Sequence, residues 1–399
     1  MPTAPHSIDG MKFSRRAEAV SPFYAMEFGK HAAALEAQGH HVVKLNLGEP
    51  DFGAPPAFLR EVRRISDGRP LPYTGALGLD DLRRAIAGFT TEHFGARVAP
   101  ERVVVTTGAS AALLLSCAAL IDPGDEVLVA DPSYPCNRRF AESFGGRVRL
   151  LETSPATRFQ LDAQTVADRW RPETRGVMVA TPSNPTGTSL PHTELVELCG
   201  TVSERGGWRI VDEIYLGLAD DGPDGPPRSV AADDPGAIVI NSFSKYFGMT
   251  GWRLGWAIVP EAMIPVAERL AQNYYICPPT PSQVAALTCF EPETLAVAED
   301  RRAQFRARRR LVLDGLERIG LDVPVRPDGA FYVYLDVSGT GLTSSEFCET
   351  ALAQAHVALT PGKDFGDAGA ERFVRLSYAA SEEDLALAIG RLGDLMNRI

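Results

Sequence analysis

Ala237-Ile238-Val239-Ile240-Asn241-Ser242-Phe243-Ser244-Lys245-Tyr246-Phe247-Gly248 sets an apolar tetrad directly against two hydroxyls and a lysine, and Gly251-Trp252-Arg253 brings a second cation soon after. The tetrad has the length and composition of a buried strand. A strand that spills at its end into Ser, Ser and Lys delivers an amine to the floor of a cleft, where loss of water favours its neutral, nucleophilic form. Taken by itself the stretch also reads as a strand followed by a solvated loop, where most lysines reside. The flanking sequence decides between them.

Outward from this point the same pattern recurs. The apolar run 102–106 meets Thr107-Gly108-Ala109-Ser110 and then a strongly apolar helix reaching to about Leu120. Run 126–130 ends in Asp131-Pro132-Ser133-Tyr134-Pro135, run 176–180 in Thr181-Pro182-Ser183-Asn184, and run 208–211 in Asp212-Glu213-Ile214-Tyr215. Further strands fall at 147–151 and 254–259, and helical periodicity covers 192–205. Short apolar strands alternating with helices predict an α/β fold with a mainly parallel sheet covered on both faces. In such sheets ligands bind beyond the carboxyl ends of the strands. Those ends carry Ser110, Tyr134, Asn184, Asp212, Tyr215 and Lys245, and solvation alone does not explain that coincidence. The strand, Gly108 turn and helix start at Ala109 and Ser110 form an anion seat, since the first helical N–H groups lack internal partners. Neither a P-loop lysine nor G-x-G-x-x-G spacing is present, so the seat suits a lone phosphate better than a nucleotide.

The ends of the chain read differently. A helix is expected over 23–38, a strand over 42–47 and an exposed loop over 48–53, with Tyr73 in a second turn-rich loop and an amphipathic helix over 80–94. Residues 274–319 read as helices broken at Glu291-Pro292, followed by strands 331–335 and 372–376 around a helix over 344–355. This α+β run predicts a second, smaller domain, giving 1–48 as an arm and part of that domain, 49–280 as a large domain and 281–399 as the remainder of the small one. Arg306-Ala307-Arg308-Arg309-Arg310 reads as a solvated helix face.

Composition narrows the partners. A formal net charge of −11 argues against nucleic acid or an anionic membrane. Six cysteines without a C-x-x-C pair suit reduced thiols in the cytoplasm, and seven histidines without ligand spacing argue against a metal. No apolar run approaches membrane-spanning length, and no apolar leader follows Met1.

The rim residues meet the requirements of one cofactor, pyridoxal 5′-phosphate. A phosphate would sit on 108–110 with Ser242 and Arg253 adding donors. A ring would stack on Tyr134, Asp212 would hold a ring nitrogen protonated, Asn184 and Tyr215 would bond a ring oxygen, and Lys245 would meet the aldehyde. With these residues in view the chain resembles the class I/II aminotransferases of the fold-type-I pyridoxal-phosphate family, nearest an aspartate aminotransferase-like subgroup. The resemblance runs from about Ala25 to the C-terminus. It is carried by Asn46-Leu47-Gly48-Glu49-Pro50-Asp51-Phe52, Tyr73-Thr74-Gly75, Pro182-Ser183-Asn184-Pro185-Thr186-Gly187, Asp212-Glu213-Ile214-Tyr215, Ser242-Phe243-Ser244-Lys245, Gly329-Ala330-Phe331-Tyr332 and Phe373-Val374-Arg375-Leu376-Ser377.

The resemblance implies a seven-stranded sheet and a ping-pong transfer of an amino group from an L-amino acid to a 2-oxo acid such as 2-oxoglutarate. In it Lys245 forms the Schiff base and shuttles the substrate proton, while Asp212 and Tyr215 tune the ring. Arg375, with the Gly48 backbone and Asn184 beside it, grips the α-carboxylate. Tyr73 reaches the phosphate of a neighbouring subunit, so a homodimer is implied. Ala109 and Ser110 stand where many relatives carry Gly or a side-chain donor, which shifts phosphate binding toward backbone N–H groups. Arg15, Arg16, Arg138 and Arg139 are candidates for a distal carboxylate, consistent with aspartate-like or broad specificity, whereas Phe23, Tyr274 and Tyr275 would suit aromatic or aliphatic donors. A β-lyase or oxidase-like reaction on the same scaffold is the alternative. A non-catalytic sensor fused to a DNA-binding domain is disfavoured because the fold starts within the first few dozen residues.

Overall fold

A computed structural model describes residues 12–398. Among the described residues twelve strands occur, in chain order β1 (Val43–Lys44), β2 (Val103–Thr106), β3 (Glu126–Asp131), β4 (Arg147–Glu152), β5 (Thr174–Ala180), β6 (Trp208–Asp212), β7 (Ile238–Ser242), β8 (Gly255–Ile258), β9 (Tyr332–Asp336), β10 (Val357–Ala358), β11 (Thr360–Pro361) and β12 (Phe373–Ser377). Seven of them form one sheet in the order β2-β8-β7-β6-β5-β3-β4. It is parallel throughout except for β8, which runs antiparallel to both neighbours. The expected mainly parallel α/β sheet is therefore present.

Strand composition explains the burial. Val103, Val104 and Val105, and Ile238, Val239 and Ile240, are each buried whichever face they point to, as expected for strands covered on both sides. The helix Ala109–Leu120 crosses one face and is apolar all round, with Ala112, Leu113, Leu115 and Cys117 buried. Its start presses onto β8 at Gly255, where a Cβ would lie 2.7 Å from the Ala109 nitrogen. Because β3, β5, β6 and β7 are mutually parallel, their carboxyl ends share one rim, and the polar strand-end residues meet there.

A smaller sheet, β11-β12-β9, is antiparallel, and β1 pairs with β10 in parallel register, Val43 opposite Val357. The N-terminal segment is thereby stitched into C-terminal structure. Formal pairing covers only Val43–Lys44 of the expected 42–47 strand. Beyond it Leu45 donates to the Ala358 carbonyl and accepts from the Ser377 amide, and the chain then bends to bring Leu47 and Gly48 to the rim.

The arginine-rich run overturns the expectation of a solvated face. It lies on the helix Pro292–Arg318, and the side packed against the protein carries Phe305, Arg308 and Val312. Arg308 is buried, bonds Asp51 Oδ1 at 2.7 Å and stacks on Phe52 at 4.8 Å. Arg306 bonds Asp220 at 2.6 Å, and Arg309 bonds the same carboxylate. Removing one partner of a buried pair strands the other charge. Arg308→Ala is expected to cost about 2 kcal/mol, with the exposed Arg310→Ala within about 0.5 kcal/mol of wild type, read from urea midpoints at constant slope. Equal midpoints for the two variants would return Arg308 to the solvated face. Among the described residues no helix is long and apolar enough to cross a membrane.

Candidate active site

A cavity of about 710 Å³ opens at the rim of the large sheet. Its floor is the turn after β7. Lys245 is half-buried there, and its Nζ donates to the Gly48 carbonyl at 2.6 Å. Burial pushes the amine down to about 8; the Glu49 charge opposes the shift, Arg375 adds to it, Asp212 opposes it and Arg253 adds to it. Such an amine is partly neutral near physiological pH, as nucleophilic and proton-transfer work requires.

Asp212 closes β6 with its side chain out of water. Burial pushes its carboxyl up to about 6, against the Ile214 amide, which donates to Oδ1 at 3.1 Å, and the Lys245 charge. Tyr215 follows, with its hydroxyl 2.7 Å from that of Tyr332. Burial, then the neighbouring Tyr332, raises the Tyr215 phenol well above its ordinary range, so it keeps its hydrogen. Asn184 accepts from Arg375 Nη1 at 2.9 Å through Oδ1, which leaves its amide N–H groups for another acceptor. Tyr134, at the turn after β3, also lines the cavity.

The anion seat lies on the same wall. Gly108 caps the helix Ala109–Leu120 with φ 81° and no side-chain cap. A Cβ at Gly108 would meet the Arg253 Nη2 at 2.7 Å, so the guanidinium sits directly over the helix start. Arg253 itself is held at φ 51°, with Nη1 donating to the Thr250 carbonyl at 2.8 Å. Ser242 Oγ donates to Ser244 Oγ at 2.9 Å or to the Leu254 carbonyl at 3.1 Å, and accepts from the Ser244 amide. Ser242 and Ser244 both line the cavity, so either hydroxyl can turn to donate into it.

Arg375 comes from β12 and is 2% exposed. Nη2 donates to the Asn46 carbonyl at 2.5 Å, and the guanidinium carbon lies over the rings of Tyr332 (4.6 Å) and Phe365 (4.8 Å). Its Nε has no partner, and among the described residues no carboxylate lies within ion-pair distance of it. A buried, uncompensated guanidinium is costly to keep unless an anion arrives.

The cavity therefore gathers Gly48, Ala109, Ser110, Tyr134, Asn184, Asp212, Tyr215, Ser242, Lys245, Arg253 and Arg375, with Gly108 at its edge. Tyr73 does not line it and is 76% exposed. Arg15, Arg16, Arg138 and Arg139 do not line it either: Arg139 pairs with Glu142, and Arg16 with the Ser143 carbonyl. Phe23 does line it; Tyr274 and Tyr275 do not. Glu49, Thr250, Ser244, Ile214 and Tyr332 also line the cavity, and the sequence alone assigns them no role. Most lie inside motifs quoted for other members, so adjacency was the signal available. Among the described residues no cluster of His, Cys, Asp or Glu is arranged for a metal ion.

A lysine, a buried carboxylate and a phosphate seat fit pyridoxal phosphate, and so does a guanidinium awaiting an anion. Residues 40–392 match the family described as Aminotransferase class I and II. The chain is similar to a valine–pyruvate aminotransferase of Mycobacterium tuberculosis, 42% identical over 94% of this chain and 96% of that protein. It is also similar to an aspartate/prephenate aminotransferase of Thermus thermophilus, 36% identical over 96% and 99%. The solved structure of an aminotransferase from Mycobacterium tuberculosis superimposes with a TM-score of 0.93 at 41% identity, covering 98% of this chain and all of that one. The aspartate aminotransferase of Thermus thermophilus with maleate superimposes at 0.89 and 34% identity, over 96% of this chain and all of that one. Site chemistry, sheet order and relatives agree, and the chain belongs to the class I and II aminotransferases.

Proposed function

We propose that this transaminase holds pyridoxal 5′-phosphate in the rim cavity and moves amino groups between uncharged L-amino acids and a small 2-oxo acid, with pyruvate favoured as acceptor. The family's use of that cofactor supports the first part. When bound, the cofactor supplies an aldehyde that takes the amine and a protonated ring that accepts electron density from the substrate Cα.

The chain's residues do the rest. The N–H groups of Ala109 and Ser110 over the Gly108 turn, with Ser242, Ser244 and Arg253, bind the phosphate. Tyr134 packs on the ring, Asp212 keeps the proton on its nitrogen, and Asn184 and Tyr215 donate to its oxygen. Arg375 grips the substrate α-carboxylate beside Gly48, which a lysine could not copy as a fork. Lys245 Nζ, partly neutral near physiological pH, would take and return the proton at the substrate Cα. Tyr73, exposed in one subunit, reaches the phosphate held by a second copy, so the working unit is a homodimer. Residues 49–280 act as the large domain, with 1–48 and 281–399 forming the arm and small domain. The free state of all six cysteines supports a cytoplasmic location.

One observation carries the substrate class. Among the described residues the cations lining the cavity are Lys245, Arg253 and Arg375, and each has a task. None remains for a distal carboxylate, while Glu49 adds a negative charge and Phe23, Met26, Leu47 and Ile214 an apolar lining. The name of the valine–pyruvate relative points the same way. With pyruvate as acceptor, valine, leucine and alanine should exceed aspartate and glutamate in kcat/KM by at least about tenfold, the cost of leaving a carboxylate without a partner. A panel of donors against pyruvate and 2-oxoglutarate measures this. A preference for aspartate would show that a cation arrives from elsewhere, and failure of every 2-oxo acid to complete the cycle would end the transfer reading.

A further inference from the structure

Tyr332 opens β9 in the smaller sheet, yet its side chain is wholly buried at the cavity. It touches groups of separate function. Its hydroxyl lies 2.7 Å from the Tyr215 hydroxyl, its ring lies 4.6 Å from the Arg375 guanidinium carbon, and a Cβ at Gly48 would sit 2.0 Å from its oxygen. We propose that Tyr332 is a positioning residue that aims the Tyr215 hydroxyl at the cofactor ring and, through its ring face, holds the Arg375 fork for the substrate carboxylate. This rests on the roles given above to Tyr215 and Arg375.

Each phenol has one hydrogen to donate. When Tyr215 donates outward to the ring oxygen, it must accept from Tyr332. The order is then Tyr332 to Tyr215 to ring oxygen, and a chained donor polarises the next one. Burial raises both phenols above their ordinary range, so neither surrenders its hydrogen at working pH. The ring face acts independently. A desolvated guanidinium with no carboxylate in reach gains from an aromatic face, and Tyr332 supplies one such face in addition to that of Phe365. The Tyr332 oxygen also explains the glycine at position 48, since any side chain there would displace it.

The two functions separate by substitution. In the loaded holoenzyme Tyr332→Phe removes the hydroxyl and keeps the ring. It should weaken cofactor binding about fivefold and raise the midpoint of the pH titration of bound-cofactor absorbance by about half a unit, because a less bonded ring oxygen holds the neighbouring proton more tightly. The KM for an uncharged amino donor should stay within about twofold. Tyr332→Leu should show the same changes and add a rise in KM of about tenfold. Gly48→Ala should lose at least about tenfold in kcat/KM, and Tyr332→Phe in the same chain should recover part of that loss. The proposal is overturned if Tyr332→Phe titrates and binds cofactor as wild type does, or if it raises KM as much as Tyr332→Leu. Lowered melting temperatures with all three readouts unmoved would assign Tyr332 to the core alone and overturn it equally. Wild-type protein that takes up no cofactor would overturn the underlying reading as well, so the two failures are distinguishable.

Discussion

Lys245→Ala is expected to leave the protein folded and to lower transamination by at least about 10³-fold, the upper range for a positioned proton-transfer group together with the loss of its covalent role. The side chain is half-buried, its Nζ is bonded to the Gly48 carbonyl, and no other lysine lines the cavity among the described residues. Nothing nearby can take over. The wild-type rate should rise with pH toward about 8, where the amine loses its proton, and any residual activity of the variant should lack that limb. Stability carries a second signature. Because the folded-state value lies below the ordinary 10.5, between about 8 and 10.5 the unfolded chain binds the extra proton. Wild-type protein without cofactor should therefore gain stability as pH rises through that window, and the alanine variant should not. A rate loss with the same pH limb retained would show that another base moves the proton.

Asp212→Asn should lower kcat by about 10²–10³-fold, the scale seen when one preorganised electrostatic partner is removed. Asparagine keeps the shape and can still accept from the Ile214 amide, but it cannot hold a positive ring nitrogen. Burial places the Asp212 carboxyl at about 6, so wild-type affinity for the cofactor should fall as pH drops through that value, whereas the variant's affinity should be weak and flat. The folded-state value is raised, so between about 4 and 6 the folded chain binds more protons and loses stability as pH rises. Without cofactor the asparagine variant should then melt no lower than wild type at neutral pH. A residue that costs stability and is essential to activity marks a functional site. An unchanged affinity profile would remove Asp212 from the ring nitrogen.

Much of this site was legible because a parallel sheet places its strand ends on one rim. Once 176–180, 208–211 and 237–240 were read as parallel strands, Asn184, Asp212 and Lys245 had to be neighbours. The helix Asp80–Phe94 was equally plain, bounded by two aspartates and Gly95. Helices Pro56–Ile65, Ile264–Tyr274 and Glu382–Met396 do not stand out in the sequence. The first starts inside Ala54-Pro55-Pro56, which reads as a turn, and its arginines blur the apolar stripe. The burial of Arg308 was hidden for a different reason. Its partner Asp51 is 257 residues away, and periodicity reports a helix face without saying what packs on it. Glu49 and Tyr332 were hidden in the same way, since their parts depend on contacts across the chain rather than on spacing along it.

The fork proposed for the substrate carboxylate is assembled from opposite ends of the polypeptide. The Asn46 carbonyl receives Arg375 across 329 residues and Thr360 across 314, and β1 finds its partner only in β10. During synthesis, strands β2 to β8 can pair while the chain is still growing, but the carboxylate grip cannot exist until β12 has emerged and closed on residues 43–48. Contacts of such long range form late and slowly. The proposed fork is therefore the last part of the site to form, after the strand ends that carry Asp212 and Lys245.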